Sequence, residues 1–281
     1  YWDDKTEDPN YHVTTDWGGI DGYHAPCRFP GNNFDFNPPS ESSIDPVKSP
    51  RNSSWFYVAM GTRRALTFLE QQPQVDADRL GVFGHSMGGH LSVITAGSDG
   101  RVKAAVPSCG GMSDREKYHF MPEYVTTLGD DVYLKRITCP IAFQSPANDF
   151  HGEISDLQLA IDEIKSEDWR VTCAPHHNHM DTAENFVLTH LWFDEYLKGE
   201  FELPKTPETR LVLETNNGIP QFAVRPDRPD EVTESNIYYT EQGETDNRAN
   251  LGHVVNRYWK HAVATRQGDT WVAELPTHDA D

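Results

Sequence analysis

The chain has 281 residues, 44 of them Asp or Glu against 24 Lys or Arg, for a formal charge of −20. A field of that sign repels phosphate backbones and argues against nucleic acid as a partner, and no apolar run approaches the roughly 18 residues of a membrane span. With 37% hydrophobic residues, seven of them Trp and thirteen Phe, the chain can bury a core, so a soluble protein acting on neutral or cationic molecules is expected.

Residues 1 to about 52 are polar and turn-rich, as in "DDKTEDPN" and "FPGNNFDFNPPSESS", and read as a surface layer with few regular elements. Their oxygen-bearing side chains lack the spacing of a calcium loop, so solvated loops are the plainer reading. Next, "SSWFYVAMGTRRALTFLEQQP" has helical periodicity, with Trp55, Val58, Ala59, Thr62, Ala65, Leu66 and Leu69 on one face. Asn52 or Ser53 can cap its start and Pro73 follows its end. "RLGVFG" predicts a short buried strand, "SMGGHLSVITAGS" a helix and "RVKAAVPS" a second strand. "CPIAFQS" predicts a third strand, "DLQLAIDEIKS" a helix, "WRVTCAP" a fourth strand and "DTAENFVLTHLWFDEYLKG" a helix closing at Gly199. Apolar strands alternating with helices predict a mostly parallel sheet flanked by helices, an α/β domain over residues 1–200. After a linker at 201–209, short strands such as "RLVLETNNGIPQFAV", "NIYYT" and "DTWVAEL" predict a small β-sandwich-like module over 210–281.

The four cysteines, Cys27, Cys109, Cys139 and Cys173, form no CxxC pair, so a zinc ribbon is not expected. Cys109 and Cys173 fall in or beside strands and read as free buried thiols, while a disulfide using Cys27 stays open.

Gly84-His85-Ser86-Met87-Gly88 matches G-x-S-x-G. The pattern is weak alone, and the plain alternative is a glycine bend with an inert serine. Its setting sharpens it, because a nucleophilic serine on a strained turn needs a strand before it and a helix after it. Gly84 and Gly88 would leave room for that turn. A serine hydroxyl needs a histidine to take its proton and an acid to orient the histidine, in the chain order Ser, acid, His. Asp149 stands just past "CPIAFQS", where ligands gather in open α/β sheets. Its plain alternatives are a turn residue or a helix cap, and Glu153 and Asp156 are weaker rivals. His176, His177 and His179 follow "WRVTCAP", and His179 is preferred because His176 sits too close behind the strand. Those imidazoles lack carboxylates at a diagnostic spacing, so no metal is expected, and no cofactor. His90, a helical turn beyond Ser86, reads as packing. The first oxyanion donor should be the N–H of Met87; a second donor is not evident, the nearest glycine cluster being "DWGGIDG" at 16–22. His85 and the aromatics Trp17, Tyr23, Phe34, Phe36, Tyr118, Phe120 and Phe150 are candidate walls of the cleft, with His85, Trp17 and Phe150 foremost.

The stretch from "SPRNSSWF" through "FGHSMGGHLSVITAGSDGRVKAAVPSCGG", together with "SPANDFHG" and "APHHNHMDTAENFVLTHLWFDEYLKG", resembles the dienelactone hydrolase and acetyl xylan esterase branch of the α/β-hydrolase superfamily. The resemblance covers about 50 to 200. It implies Ser86 as nucleophile, Asp149 as acid and His179 as base, hydrolysing esters, often acetyl groups on polysaccharides. Members of that branch carry several strands before the region matching Tyr1, so an N-terminal segment or a companion chain is expected to complete the sheet. The expected function is therefore a serine esterase acting on a small-molecule or polysaccharide ester, in a secreted or periplasmic setting although no signal peptide is visible. The alternatives are a prolyl-oligopeptidase-like peptidase and a non-catalytic carbohydrate-binding relative.

Overall fold

The computed structural model describes residues 44–242 and 255–277. The predicted cleft residues Trp17, Tyr23, Phe34 and Phe36, the "DWGGIDG" cluster, the polar loops at 3–10 and 31–37, and Cys27 lie outside them. Helix α1 (Ser54–Glu70) starts where the Ser53 hydroxyl accepts from the Phe56 N–H, the side-chain cap its sequence allows. Its buried face is narrower than expected. Trp55 and Leu66 are buried, but Ala65 and Leu69 are exposed and correct the predicted stripe. Burial of a side chain such as Leu66 is worth about 1.5–3 kcal/mol.

Strand β1 (Leu80–His85) runs into α2 (Met87–Ser98), then β2 (Val102–Ser108). Two short helices that the sequence reading did not anticipate follow, α3 (Pro122–Val125) and α4 (Asp130–Leu134). Then come β3 (Ile141–Gln144), α5 (Leu157–Glu163), β4 (Trp169–Thr172) and α6 (Ala183–Phe193). The four strands pair in the order β1-β2-β3-β4, every pair parallel. Side chains alternate between faces. Ala105, Ile141 and Phe143 join Leu66, Val93, Leu134 and Ala160 on one side, while Ala104, Val106 and Ala142 meet Trp192 of α6 on the other. Truncating Phe143 or Trp192 to Ala would cost about 3–5 kcal/mol. After α6 the chain makes one π-turn and reverses at Gly199, whose φ of 70° suits glycine. Among the described residues β1 is bonded on one side only, and its Phe83 is 67% exposed.

Beyond 207 the pattern is antiparallel. Strands β5 (Glu208–Val212) and β6 (Gln221–Arg225) form one sheet with β10 (Thr270–Glu274) and β9 (Thr265–Gln267), and β7 (Asn236–Tyr239) pairs with β8 (Lys260–Val263). Trp271, Ala273 and Phe222 of the first sheet share a core with Ile237, Tyr239 and Ala262 of the second. No helix among the described residues is long and apolar enough to cross a membrane.

Candidate active site

All the candidate loops leave the carboxyl ends of the parallel strands, the rim where such sheets gather ligands. Ser86 stands between β1 and α2 with φ 60° and ψ −116°, a conformation that costs a serine about 1–3 kcal/mol and persists only where its surroundings enforce it. The enforcement is visible. Its N–H donates to the Ser108 carbonyl (2.8 Å), continuing the β1–β2 ladder, while its carbonyl accepts from the N–H groups of Gly89 and His90 and opens α2. Met87, first residue of that helix, has no intrahelical acceptor for its own N–H. A Cβ at Gly84 would lie 2.6 Å from the Gly88 carbonyl oxygen, and one at Gly89 would lie 2.6 Å from that of Ser108. A Cβ at Gly88 meets nothing, so the predicted requirement for glycine there is corrected: Gly84 and Gly89 permit the close approach.

The structure brings Ser86, His179 and Asp149 into contact. The distance from His179 Nε2 to Ser86 Oγ is 2.8 Å, and from His179 Nδ1 to Asp149 Oδ2 2.9 Å. A carboxylate only accepts, so Nδ1 carries the proton and Nε2 is left to accept from the serine hydroxyl. Asp149 is 1% exposed. Burial pushes its carboxyl upward, but the His179 hydrogen bond and charge, with the N–H groups of Gly152 and His151 on Oδ1 (2.6 Å each), outweigh that and hold it below the ordinary range. Asp149 therefore also forms the turn of its loop. Glu153 lies 3.7 Å from Lys117 and precedes the short 3-10 turn at Ile154–Asp156 without a side-chain cap hydrogen bond. His176 and His177 are exposed. His176 has φ 63° and packs against Tyr238 and Tyr258, and His177 lies against Met180.

Two aromatic rings flank His179: Phe150 with centroids 4.6 Å apart and His85 at 4.8 Å. Tyr118 packs on Phe120 and Tyr124 instead, and Phe120 is exposed. The sequence reading missed Asp181, which lies 3.1 Å from His85 Nδ1 and accepts from the Ser108 hydroxyl at 2.5 Å. The only available cue was its position two residues beyond His179. Cys109 is buried and free with a left-handed φ of 52°, its thiol pushed up by burial and by Asp149. Cys173 is exposed, which corrects its expected burial: it follows β4, at the outer end of the four-strand order.

Ligand-type atoms of His85, Cys109 and His179 lie within 4.8 Å of one another. Both nitrogens of His179 already have partners and the thiol is disfavoured as thiolate, so the trio is poorly suited to a cation. A second buried polar group lies behind the rim. His90 Nδ1 is 2.6 Å from Asp130, and both residues line, with Asp114, Tyr124 and His151, a cavity of about 30 Å³. Burial pushes His90 down to about 4.

Comparison with known proteins supports the same region. Residues 45–180 match the Dienelactone hydrolase family, a span containing Ser86, Asp149 and His179. The chain is 29% identical over 161 residues to acetyl esterase Axe7A of Xylanibacter ruminicola, covering 50% of this chain and 36% of that protein. The chain thus spans about a third of the length of that curated relative. Similar solved structures include an acetyl xylan esterase from Paenibacillus sp. R4, with TM-score 0.47, 19% identity and coverage of 58% of this chain and 60% of that one. Another is the acylaminoacyl peptidase of Pyrococcus horikoshii, with TM-score 0.44, 15% identity and coverage of 55% and 29%. Over residues 45–180, a little under half of the chain, the sequence is thus similar to the Dienelactone hydrolase family.

Proposed function

We propose that this protein is a serine esterase that removes small acyl groups, acetyl foremost, from carbohydrate-linked or other neutral esters, in a secreted or periplasmic setting. The observation that carries the reading is the double contact of His179, 2.8 Å to the Ser86 hydroxyl and 2.9 Å to Asp149. Ser86 Oγ attacks the ester carbonyl as His179 Nε2 takes its proton. The oxyanion forms against the Met87 N–H, at the positive end of α2. Asp149 holds the imidazole in the tautomer that accepts at Nε2 and stabilises its positive charge. Collapse expels the alcohol, which takes the proton from His179 and leaves an acyl-serine. Water, deprotonated by His179, attacks that ester, and the carboxylic acid departs as Ser86 regains its proton. His85 and Phe150 wall the cleft around the imidazole.

An acetyl group is favoured by the name of the curated relative, an acetyl esterase. The test is turnover of p-nitrophenyl acetate and of a proline-containing amide by the wild type and Ser86→Ala. Ester hydrolysis that falls at least about 10³-fold in the variant is expected. Undiminished turnover in Ser86→Ala would overturn the reading, and preference for the amide would favour the peptidase alternative.

A further inference from the structure

The loop carrying Asp149 is held from two directions. On one side its main chain is tied to the loop carrying His179, with the Ala147 N–H donating to the Ala174 carbonyl (2.9 Å) and the Asn148 N–H to that of His177 (3.0 Å). On the other side it is tied to the C-terminal antiparallel region through one side chain. Asn148, the immediate neighbour of Asp149, is 5% exposed. Its Nδ2 donates to the carbonyls of Arg257 (2.8 Å) and Val255 (3.3 Å), and its Oδ1 accepts from Trp259 Nε1 (2.8 Å). Both amide hydrogens and the carbonyl oxygen are thus used. A buried amide so satisfied has one orientation, and losing any partner would leave a polar group unpaired in the interior. The same strand pair reaches the second loop. Tyr238 of β7 and Tyr258, just before β8, pack on His176, whose left-handed φ shapes the turn three residues before His179.

We infer that Asn148 and Trp259 are positioning residues: by clamping the acid-bearing loop to residues 255–259, they fix Asp149 under His179, so that the C-terminal region sets the catalytic rate without touching the ester. The inference rests on the triad reading above. An imidazole hydrogen-bonded on both sides tolerates little displacement, because a shift of about 1 Å in a reacting group costs on the order of 10²-fold in rate. A clamp adjoining the carboxylate acts on kcat, and because neither Asn148 nor Trp259 is placed against the ester, KM is expected to stay unchanged.

Full-length wild type, Asn148→Ala, Trp259→Phe and Arg266→Ala would be compared for kcat and KM on p-nitrophenyl acetate, thermal midpoint, and the downfield proton resonance of an imidazole N–H donating to a buried carboxylate. Trp259→Phe keeps an aromatic ring and removes one donor, so it guards against a misfolded Asn148→Ala. The clamp predicts that kcat falls about tenfold in Trp259→Phe and further in Asn148→Ala, with KM within twofold and a weakened or exchange-broadened resonance. Arg266, whose ion pair with Asp230 lies elsewhere in the same region, serves as a control and should match the wild type. Wild-type kcat and an intact resonance in Trp259→Phe would overturn the clamp while leaving the triad reading standing. A wild type with neither turnover nor the resonance would remove the triad reading, and the clamp with it.

Discussion

Among the described residues, two histidine–aspartate pairs have a buried carboxylate, and they differ in what surrounds it. In the rim pair, His179 and Asp149 are 2.9 Å apart, the carboxylate takes two further backbone N–H bonds, and the outer imidazole nitrogen meets a serine hydroxyl. In the inner pair, His90 and Asp130 are 2.6 Å apart, and among the described residues His90 Nε2 has no hydrogen-bond partner. Burial, then the neighbouring Asp131, pushes the Asp130 carboxyl well above the ordinary range, whereas that of Asp149 is held below it. A short His–Asp contact is therefore not in itself a proton relay. The relay also requires donors that keep the acid ionised and a nucleophile on the far nitrogen.

The widest gap between the pairs should appear on neutralising each acid. Asp149→Asn is expected to lower kcat by about 10⁴-fold, because the amide can stabilise the wrong imidazole tautomer and cannot balance the charge formed on it. Asp130→Asn, close in shape to the protonated acid favoured there, should leave kcat within a few-fold and cost about 1–2 kcal/mol of stability by chemical denaturation. Equal losses of rate in the two variants would erase the distinction.

A smaller effect concerns pH. His151, beside the rim, donates from Nδ1 to the Cys109 carbonyl at 2.8 Å, and burial, then Lys117, pushes it down to about 4 from an ordinary 6.5. Its folded form refuses a proton that the unfolded chain accepts, so stability is full above about pH 6.5 and drains away as pH falls toward 4. His90 acts in the same direction, but the raised carboxyls of Asp114 and Asp130 act in the opposite one and offset it. His151→Gln should accordingly flatten the decline between pH 6.5 and 4 by about 1–3 kcal/mol, read from denaturation midpoints at several pH values. An unchanged slope would show that this imidazole protonates freely.

What the sequence disclosed follows range along the chain. The elbow at Ser86 was legible because strand, glycine and helix lie within a few residues of one another. Asp149 and His179 were legible because each follows an apolar strand-like run, and parallel strands deliver their following loops to one rim. The assignment of room-making to Gly88 rather than Gly89 failed because it depends on where Ser108 passes, a matter of tertiary packing. Helices α3 and α4 and strands β8 and β9 are three to five residues each, too short to show a period. The contact between Asn148 and Trp259 joins residues 111 positions apart, and nothing local to either announces the other.

The central claim is that the Ser86 hydroxyl is activated by His179. Mass spectrometry after exposure to a fluorophosphonate tests it most directly. One adduct on Ser86 in the wild type, and at least a thousandfold slower labelling in His179→Ala, is the predicted result. A wild type left unlabelled at Ser86, or labelled equally fast without the imidazole, would contradict it.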